Sequence, residues 1–295
     1  MAMHSVVCIK QVPDSSQISI HPETNTIMRQ GVPSIVNPYD LHALEAALTL
    51  RDRHAGQVTV LTMGPRSATA ALRRCLAHGA DQARLITDRA FAGSDTLATA
   101  LVLAHAVAML HREQPVDVVF CGRQTIDGDT GQVGPGLAGR LGLDPLSYVV
   151  EIDSLDPASR RIVVRRRLGS ASQTIESRLP CLISMLEGTN QVRFGSLDDV
   201  LRAERAEVPR WSAADIGLDG SEVVGLKGSP TRVRRVFAPD PVERPTQRLE
   251  TAEREPADAA AILLDALARG HPELLAELVG AEVARTGAGR TGLSC

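Results

Sequence analysis

One segment, residues 121–135, concentrates the side chains and glycines that could bind a ligand. It reads Cys-Gly-Arg-Gln-Thr-Ile-Asp-Gly-Asp-Thr-Gly-Gln-Val-Gly-Pro and contains four glycines, two carboxylates, two threonines and two amides. Glycines leave backbone N–H groups open to a ligand, and a loop of this kind between a strand and a helix binds nucleotides and phosphates. The alternative is a plain glycine-rich turn, which does not need so many special residues in a row. The segment therefore predicts a phosphate-binding loop.

The flanking elements place this loop at one edge of a parallel sheet. Residues 116–121 form an apolar run that suits a buried parallel strand, and residues 137–141 suggest a short helix. Earlier in the chain, strand patterns at 5–9, 58–63 and 83–86 alternate with helical patterns that begin near residues 37, 67 and 96. Strands separated by helices imply right-handed crossovers and a mostly parallel sheet.

Beyond Pro145 the pattern changes to strands that pair with their neighbours. Residues 147–152, 161–168 and 173–175 predict antiparallel strands, and 180–185 predicts a strand that returns to the main sheet. Ser196 and Asp199 have the spacing of a capping box at the start of a helix. We expect an α/β fold: a mostly parallel, Rossmann-like sheet flanked by helices, with a small antiparallel sheet and an extended C-terminal arm.

The composition divides the chain into four parts. Residues 1–206 form the predicted α/β nucleotide-binding domain. Residues 207–256 are rich in proline, glycine and charge without a sustained period, and they predict an extended arm. Residues 257–286 carry amphipathic helices whose apolar stripes need a partner surface. Residues 287–295 predict a disordered tail.

The overall composition excludes several classes of function. A net charge of −3 and 2% aromatic residues argue against nucleic-acid binding. No apolar run reaches the roughly 20 residues of a membrane helix, so we expect no membrane insertion. Five scattered cysteines without a CxxC pair predict neither disulfides nor a metal site, and the expected location is the reducing cytoplasm. The histidines lack partners at triad-like spacing, so no catalytic residue is predicted.

Four motifs occur in order along the chain. They are Val7-Cys-Ile-Lys-Gln-Val-Pro-Asp14, Asn37-Pro-Tyr-Asp40, Gly122-Arg-Gln-Thr-Ile-Asp-Gly-Asp129 and Gly225-Leu-Lys-Gly-Ser-Pro-Thr-Arg-Val233. Over residues 4–268 the chain resembles the beta subunit of electron transfer flavoproteins, including the nitrogen-fixation-associated, bifurcating-like branch. The resemblance implies an electron carrier, not an enzyme, that forms a heterodimer with an alpha subunit. Flavin dehydrogenases and a quinone reductase or ferredoxin would be the redox partners, and oxidoreductase activity by bifurcation would require the alpha subunit.

The resemblance also implies which residues bind the cofactor. The backbone after the first strand would approach the adenine, Asn37 and Asp40 the adenosine, and the end of the second strand would form the next wall. N–H groups of residues 127–130 and the Thr130 hydroxyl would bind phosphate. The full set is Val7, Cys8, Ile9, Asn37, Asp40, Met63, Gly64, Asp95, Thr96, Thr99, Gly122, Arg123, Gln124, Thr125, Asp127, Gly128, Asp129, Thr130, Gly131, Gln132, Val133, Ser229 and Thr231.

The two loop carboxylates, Asp127 and Asp129, would repel a phosphate that touched them directly. We therefore interpret them as groups that cap the loop's own N–H groups. A magnesium ion held by one or two carboxylates and the phosphate is the alternative to this interpretation.

The nucleotide itself is either FAD or AMP. Small residues at Gly128 and Gly131 leave room for a diphosphate that continues toward a flavin, as in bifurcating members, and Ser229 and Thr231 would lie near the flavin. Thr96 and Thr99, on the first turn of a helix, would receive a second phosphate, although the same residues also fit an ordinary helix cap. We favour FAD in this subunit; the alternative is AMP here, with FAD mainly on the alpha subunit.

Two other functions stay open at this point. One is a nucleotide-hydrolysing or adenylating enzyme, although a Walker motif is absent and lysine occurs only at positions 10 and 227. The other is an AMP-sensing module without redox activity. In relatives a docking loop carries an exposed leucine; here Thr189 takes that position, and Val192 or Phe194 would have to supply the apolar contact.

Overall fold

A computed structural model describes residues 2–14, 19–20, 27–28, 33–232, 254–270 and 273. The chain forms two compact units, residues 1–238 and 239–295. The strands are β1 (Met3–Cys8), β2 (Gln11–Pro13), β3 (Ser19–Ile20), β4 (Ile27–Met28), β5 (Ser34–Val36), β6 (Gly56–Met63), β7 (Gln82–Ile86), β8 (Val118–Gly122), β9 (Asp144–Asp156), β10 (Arg161–Leu168), β11 (Ala171–Arg178), β12 (Cys181–Met185) and β13 (Arg210–Trp211). The helices are α1 (Pro38–His54), α2 (Thr69–Ala77), α3 (Thr96–Glu113), α4 (Val133–Leu141), α5 (Leu197–Arg205) and α6 (Pro256–Gly270).

The first unit is built on one nine-stranded sheet with the order β11-β10-β9-β12-β8-β1-β6-β7-β13. The seven neighbouring strands β9, β12, β8, β1, β6, β7 and β13 pair in parallel. At the other end of the sheet, β10 pairs antiparallel with both β9 and β11. Two short antiparallel pairs, β2 with β5 and β3 with β4, complete the described strands. The predicted α/β architecture is confirmed, and its antiparallel part extends the main sheet.

Side chains along the central strand β1 alternate between two hydrophobic cores. Val7 of β1 and Ile9, directly after the strand, lie in the core that also contains the buried residues of α1 and α2. Val6 and Cys8 lie in the core that contains the buried residues of α3 and α4. Because successive side chains of a strand point to opposite faces, the helices cover both faces of the sheet. This burial on both sides explains why the parallel strands are nearly continuous apolar runs.

Two helix starts in this unit have local causes in the sequence. The Ser196 hydroxyl accepts a hydrogen bond from Asp199 N, and the Asp199 side chain accepts one from Ser196 N, which confirms the predicted capping box of α5. Helix α4 begins at Val133, four residues before its predicted start, so the glycine-rich segment itself supplies the first turn.

The stretch after α5 differs from its sequence prediction. An extended arm was expected from residue 207, but β13 pairs with β7, and the residues that follow it contribute to the core under α3. Trp211, Ile216, Leu218 and Val224 are buried there. Residues 207–232 therefore belong to the first compact unit. They lack a period because most of the buried side chains come from turns rather than from one face of a helix or strand.

The second unit is described only at residues 254–270 and 273, and so by one helix, α6. This helix includes the predicted segment 257–267, and none of its residues is buried. Leu263 and Leu264 are 49% and 55% exposed. The predicted tail 287–295 and, apart from Glu273, the stretch 271–286 lie outside the described residues.

Candidate functional site

The centre of the sheet contains a point where consecutive connections leave in opposite directions. From β1 the chain passes to β6 and β7 on one side, and it then returns to β8 on the other side of β1. The loops after β1 and β8 therefore begin side by side at the carboxyl edge of the sheet, and we call the position between them the crevice. In open α/β sheets ligands bind at this position. The glycine-rich loop starts there, directly after β8.

Asp40, in the first turn of α1, fastens the two strand ends at this crevice. One carboxylate oxygen accepts a hydrogen bond from Lys10 N at 2.8 Å and the other from Gly122 N at 3.0 Å. Burial raises the pKa of Asp40 to about 7, although both N–H groups and Asn37 oppose the shift. Gly122 has no room for a side chain, because a Cβ atom would lie 2.5 Å from Asp40 Oδ1 and 2.6 Å from Tyr39 Cβ.

Asn37, immediately before α1, fastens the glycine-rich loop. Its side-chain N–H donates to Gln124 O at 2.9 Å, and its carbonyl accepts from Ile126 N at 3.2 Å. Its backbone N–H donates to Lys10 O at 2.9 Å. Asn37 is fully buried, and Asp40 is nearly so. The structure thus brings the predicted residues Asn37 and Asp40 to the crevice as parts of its frame; their contact with adenosine stays a prediction.

The loop between β8 and α4 is folded by its own hydrogen bonds. Thr125 O accepts from Gly128 N at 3.4 Å and from Asp129 N at 2.9 Å. Asp129 Oδ1 accepts from the Gln124 side-chain amide at 2.8 Å, a bond to a side chain and not to one of the loop N–H groups that Asp129 was predicted to cap. Asp129 and Gly131 both have positive φ, at 51° and +63°, and glycine adopts this conformation without strain.

Four N–H groups at the end of the loop make no hydrogen bond within the described residues. They belong to Thr130, Gly131, Val133 and Gly134, of which Gly134 is a buried residue. The predicted donors were residues 127–130, but Gly128 and Asp129 already donate to Thr125, so the free donors lie slightly later in the chain. Two of them are in the first turn of α4, whose N-terminus favours an anion.

An ion pair connects the end of β1 with the same loop. Lys10 Nζ lies 2.8 Å from Asp127 Oδ1 and 2.7 Å from Asp127 Oδ2. Burial raises the pKa of Asp127, but the hydrogen bonds from Lys10 and Thr125 outweigh it and hold the pKa below its ordinary value. Lys10 was not among the predicted site residues. Its position directly after the first strand, in a chain with only two lysines, is the signal that could have identified it.

The start of α3 holds the later predicted residues together. Asp95 caps the helix by accepting from Leu97 N and Ala98 N, and its other oxygen accepts from the N–H and hydroxyl of Thr231. Ser229 accepts from Asp95 N at 2.8 Å. Thr96 donates to the Gln132 side chain at 2.8 Å, which links α3 to the loop. The capping carboxylate occupies N–H groups that a second phosphate would use.

A cleft of about 900 Å³ lies at the carboxyl ends of β6 and β7. Met63 and Gly64, both predicted site residues, line it together with Gly93 and Ser94 from the turn before α3. It is also lined by Arg66, Arg89 and Arg210.

The residues at the end of β1 are closely packed. Thr62 donates its hydroxyl to Ile9 O at 2.7 Å, and Val7 and Cys8 pair with both neighbouring strands. Burial raises the pKa of the Cys8 and Cys121 thiols, so both stay protonated near neutral pH. The remaining predicted residues are Arg123, whose guanidinium lies 5.5 Å from the centre of the Tyr39 ring, and Thr99, in the first turn of α3.

The described residues contain neither a candidate metal centre nor a candidate membrane span. Over the described ranges, no three His, Cys, Asp or Glu residues are grouped so that they could hold a metal ion. Nor does any helix in that part of the chain have the length and apolar character to cross a membrane.

Comparisons with known proteins give a consistent result. The profile of the electron transfer flavoprotein domain matches residues 24–216. Protein FixA of Azotobacter vinelandii is 55% identical over 276 residues, which are 94% of this chain and 98% of that protein. The caffeyl-CoA reductase-Etf complex subunit CarD of Acetobacterium woodii is 44% identical over 80% of this chain and 88% of its own length. The electron transfer flavoprotein subunit beta of Clostridium acetobutylicum is 44% identical over 79% and 87%.

Proposed function

The chain belongs to the electron transfer flavoprotein family as a beta-type subunit that takes part in electron transfer, and from this premise we propose that it binds an adenine nucleotide at the crevice between β1 and β8. The observation that carries the proposal is the set of four free N–H groups between Thr130 and Gly134, which lie where the sheet reverses its connection order. Backbone N–H groups at a helix N-terminus bind phosphate without a bulky side chain in the way.

The frame of the crevice fits a nucleotide. The side chains of Asn37 and Asp40 form hydrogen bonds with the backbone of the loops after β1 and β8, so these loops are fixed before the ligand arrives. A site that is already ordered loses less conformational entropy on binding. The adenine would lie against the backbone of Ile9 and the phosphate at the end of the glycine-rich loop.

FAD is the nucleotide that we propose for this subunit, with AMP as the alternative. A side chain at Gly128 would meet only Thr125 Oγ1, at 3.6 Å, so this turn presents an open surface. The 900 Å³ cleft lined by Met63 and Gly64 offers further space beside the start of α3, although none of its lining residues belongs to β1 or to the glycine-rich loop. Asp95 opposes a diphosphate at that helix start, because it already caps the N–H groups there. When bound, the flavin accepts and donates electrons; the residues of this chain bind it and orient it.

An alpha-type subunit is the partner that we propose for a heterodimer. Helix α6 has an apolar composition, with Leu263 and Leu264 about half exposed and no residue buried. Burial of an apolar helix face against a partner removes apolar surface from water, which is favourable for association. Residues 233–253 of the predicted arm lie outside the described residues, and we propose that α6 itself packs on the alpha subunit.

The loop after β12 is the proposed contact for flavin dehydrogenases, with a quinone reductase or ferredoxin as acceptor. Phe194 is 87% exposed, whereas Thr189 is half-buried and donates its hydroxyl to Leu186 O at 2.9 Å. Arg193 anchors the loop on Glu45 of α1 at 2.8 Å. An exposed aromatic side chain on a loop that is anchored in this way is suited to be the centre of a protein contact. We therefore assign the apolar contact to Phe194.

The test is to count nucleotides. The chain is co-produced with its alpha-type partner, the complex is denatured, and the released FAD and AMP are quantified per heterodimer. Two FAD support the proposal in full, and one FAD with one AMP supports the site but assigns AMP to it. A heterodimer that contains no adenine nucleotide, and takes up neither FAD nor AMP when these are added, would refute it.

A further inference from the structure

We propose that Lys10 is a positioning residue that sets the affinity of the glycine-rich loop for phosphate indirectly, by neutralising Asp127 rather than by gripping the phosphate itself. This inference rests on the proposed function, because it assumes that the loop binds an adenine nucleotide.

Lys10 and Asp127 form an ion pair in which the ammonium contacts both carboxylate oxygens. Lys10 Nζ donates to both oxygens of the Asp127 carboxylate, at 2.8 Å and 2.7 Å. The backbone of Lys10 is fixed on both sides, since its N–H donates to Asp40 and its carbonyl accepts from Asn37. The backbone of Lys10 is therefore held in place, and its side chain extends from there to the glycine-rich loop. Two of its three N–H donors are occupied by Asp127.

The position of Asp127 makes its charge matter to a ligand. It precedes Thr130, the first residue with a free N–H, by three residues, so their Cα atoms are no more than about 11 Å apart. Without Lys10 the carboxylate would face a phosphate dianion over a distance comparable to the screening length of physiological salt. At an effective dielectric constant of about 20, this screened repulsion weakens binding about fourfold at a separation of about 11 Å and about tenfold at about 8 Å.

In the part of the chain that the structure describes, no second ammonium is placed to replace Lys10. The other lysine, Lys227, pairs with Glu222 at 3.1 Å. The loop arginine, Arg123, lies over the Tyr39 ring and donates its Nε to Gln124. With Lys10 present, the charges of Lys10, Arg123, Asp127 and Asp129 sum to zero. Removal of Lys10 leaves a loop with a net negative charge at a site for an anion.

The experiment is a double-mutant cycle on the full heterodimer. The wild-type complex and the variants Lys10→Met, Asp127→Asn and Lys10→Met/Asp127→Asn are stripped of nucleotide and titrated calorimetrically with AMP and with FAD. Lys10→Arg serves as the conservative variant. Arg202→Met is the matched control, since Arg202 and Asp199 form a pair at 2.8 Å on α5 with side chains 43% and 29% exposed, against 47% and 31% for Lys10 and Asp127. Thermal unfolding of each variant identifies any that has lost its fold.

The proposal predicts that Lys10→Met binds about four- to tenfold more weakly and that the double variant binds nearly as tightly as wild type. Asp127→Asn should bind at least as tightly as wild type, and Lys10→Arg and Arg202→Met should be close to it. A double variant as weak as Lys10→Met would show that Lys10 contacts the phosphate directly, and this would overturn the proposal. So would an unchanged Lys10→Met. A wild-type complex that binds neither nucleotide contradicts the proposed function itself, which is a distinct outcome.

Discussion

Substitution of Gly122 by alanine tests how closely the frame of the crevice is packed. The new Cβ atom would lie 2.5 Å from Asp40 Oδ1, 2.6 Å from Tyr39 Cβ and 2.7 Å from the Tyr39 carbonyl carbon. Ordinary contacts of this kind are near 3.5 Å or longer. The first turn of α1 would therefore have to move by about an ångström, and two of the three clashing atoms belong to parts that cannot rotate away.

The expected loss of stability has two parts. Overpacking in a rigid site costs about 1–3 kcal/mol. Separation of Asp40 from Gly122 N leaves a buried N–H without an acceptor, which costs about 1–3 kcal/mol more. We predict a decrease of about 2–6 kcal/mol in the free energy of unfolding, measured with urea, and less adenine nucleotide per heterodimer after purification.

Gly139 provides the control for Gly122. It lies in α4, and a Cβ atom there would have no neighbour within 4 Å. Gly139→Ala should increase the free energy of unfolding by about 0.5–1 kcal/mol, because alanine favours a helix more than glycine does. The reasoning would be refuted if Gly122→Ala unfolded at the wild-type urea concentration and kept its full nucleotide content.

Three further predictions concern a charge, a surface and a segment. Burial raises the pKa of Asp40 from 3.8 to about 7, so its contribution to stability declines as the pH rises from about 4 to about 7. The unfolding free energy of wild type should therefore fall relative to that of Asp40→Asn over this range, and the difference between the two proteins should be constant above it. The same difference at pH 5 and pH 8, measured with urea, would contradict this. Phe194→Ser should weaken coupling to a partner dehydrogenase about tenfold, seen as a higher KM for the complex, without a change in thermal unfolding, because Phe194 is 87% exposed; the half-exposed Leu168 of β10, changed to serine, is the control. Deletion of residues 239–295 should lower the affinity for the alpha-type partner about 100-fold or more by calorimetry and leave the unfolding of the first unit intact; equal affinity would show that α6 is not part of the interface.

The sheet and most of its helices could be predicted from the sequence because their signals are local. The apolar strands carry β-branched residues, and the capping box of α5 lies within four residues. The glycine-rich loop was identified for the same reason, since its unusual composition is continuous in sequence. The antiparallel strands after Pro145 were predicted too, and the structure adds that they extend the main sheet.

The contacts that define the site could not be predicted, because they join distant residues. Asp40 bonds Gly122, 82 residues away, and Lys10 pairs with Asp127, 117 residues away. Which N–H groups of the loop are free also depends on its three-dimensional turn, in which Thr125 O uses two of the predicted donors. Likewise, the buried residues around Trp211 follow no helical or strand period, so the sequence suggested an arm there.

The central claim is that backbone N–H groups at the end of the glycine-rich loop hold the phosphate of an adenine nucleotide. The direct measurement is amide hydrogen exchange of the heterodimer, with and without bound nucleotide, followed in peptides that cover residues 128–136. The account predicts that exchange of this segment slows at least tenfold when nucleotide is bound, since Thr130, Gly131, Val133 and Gly134 then gain an acceptor. Unchanged exchange in these peptides, with protection elsewhere in the chain, would contradict it.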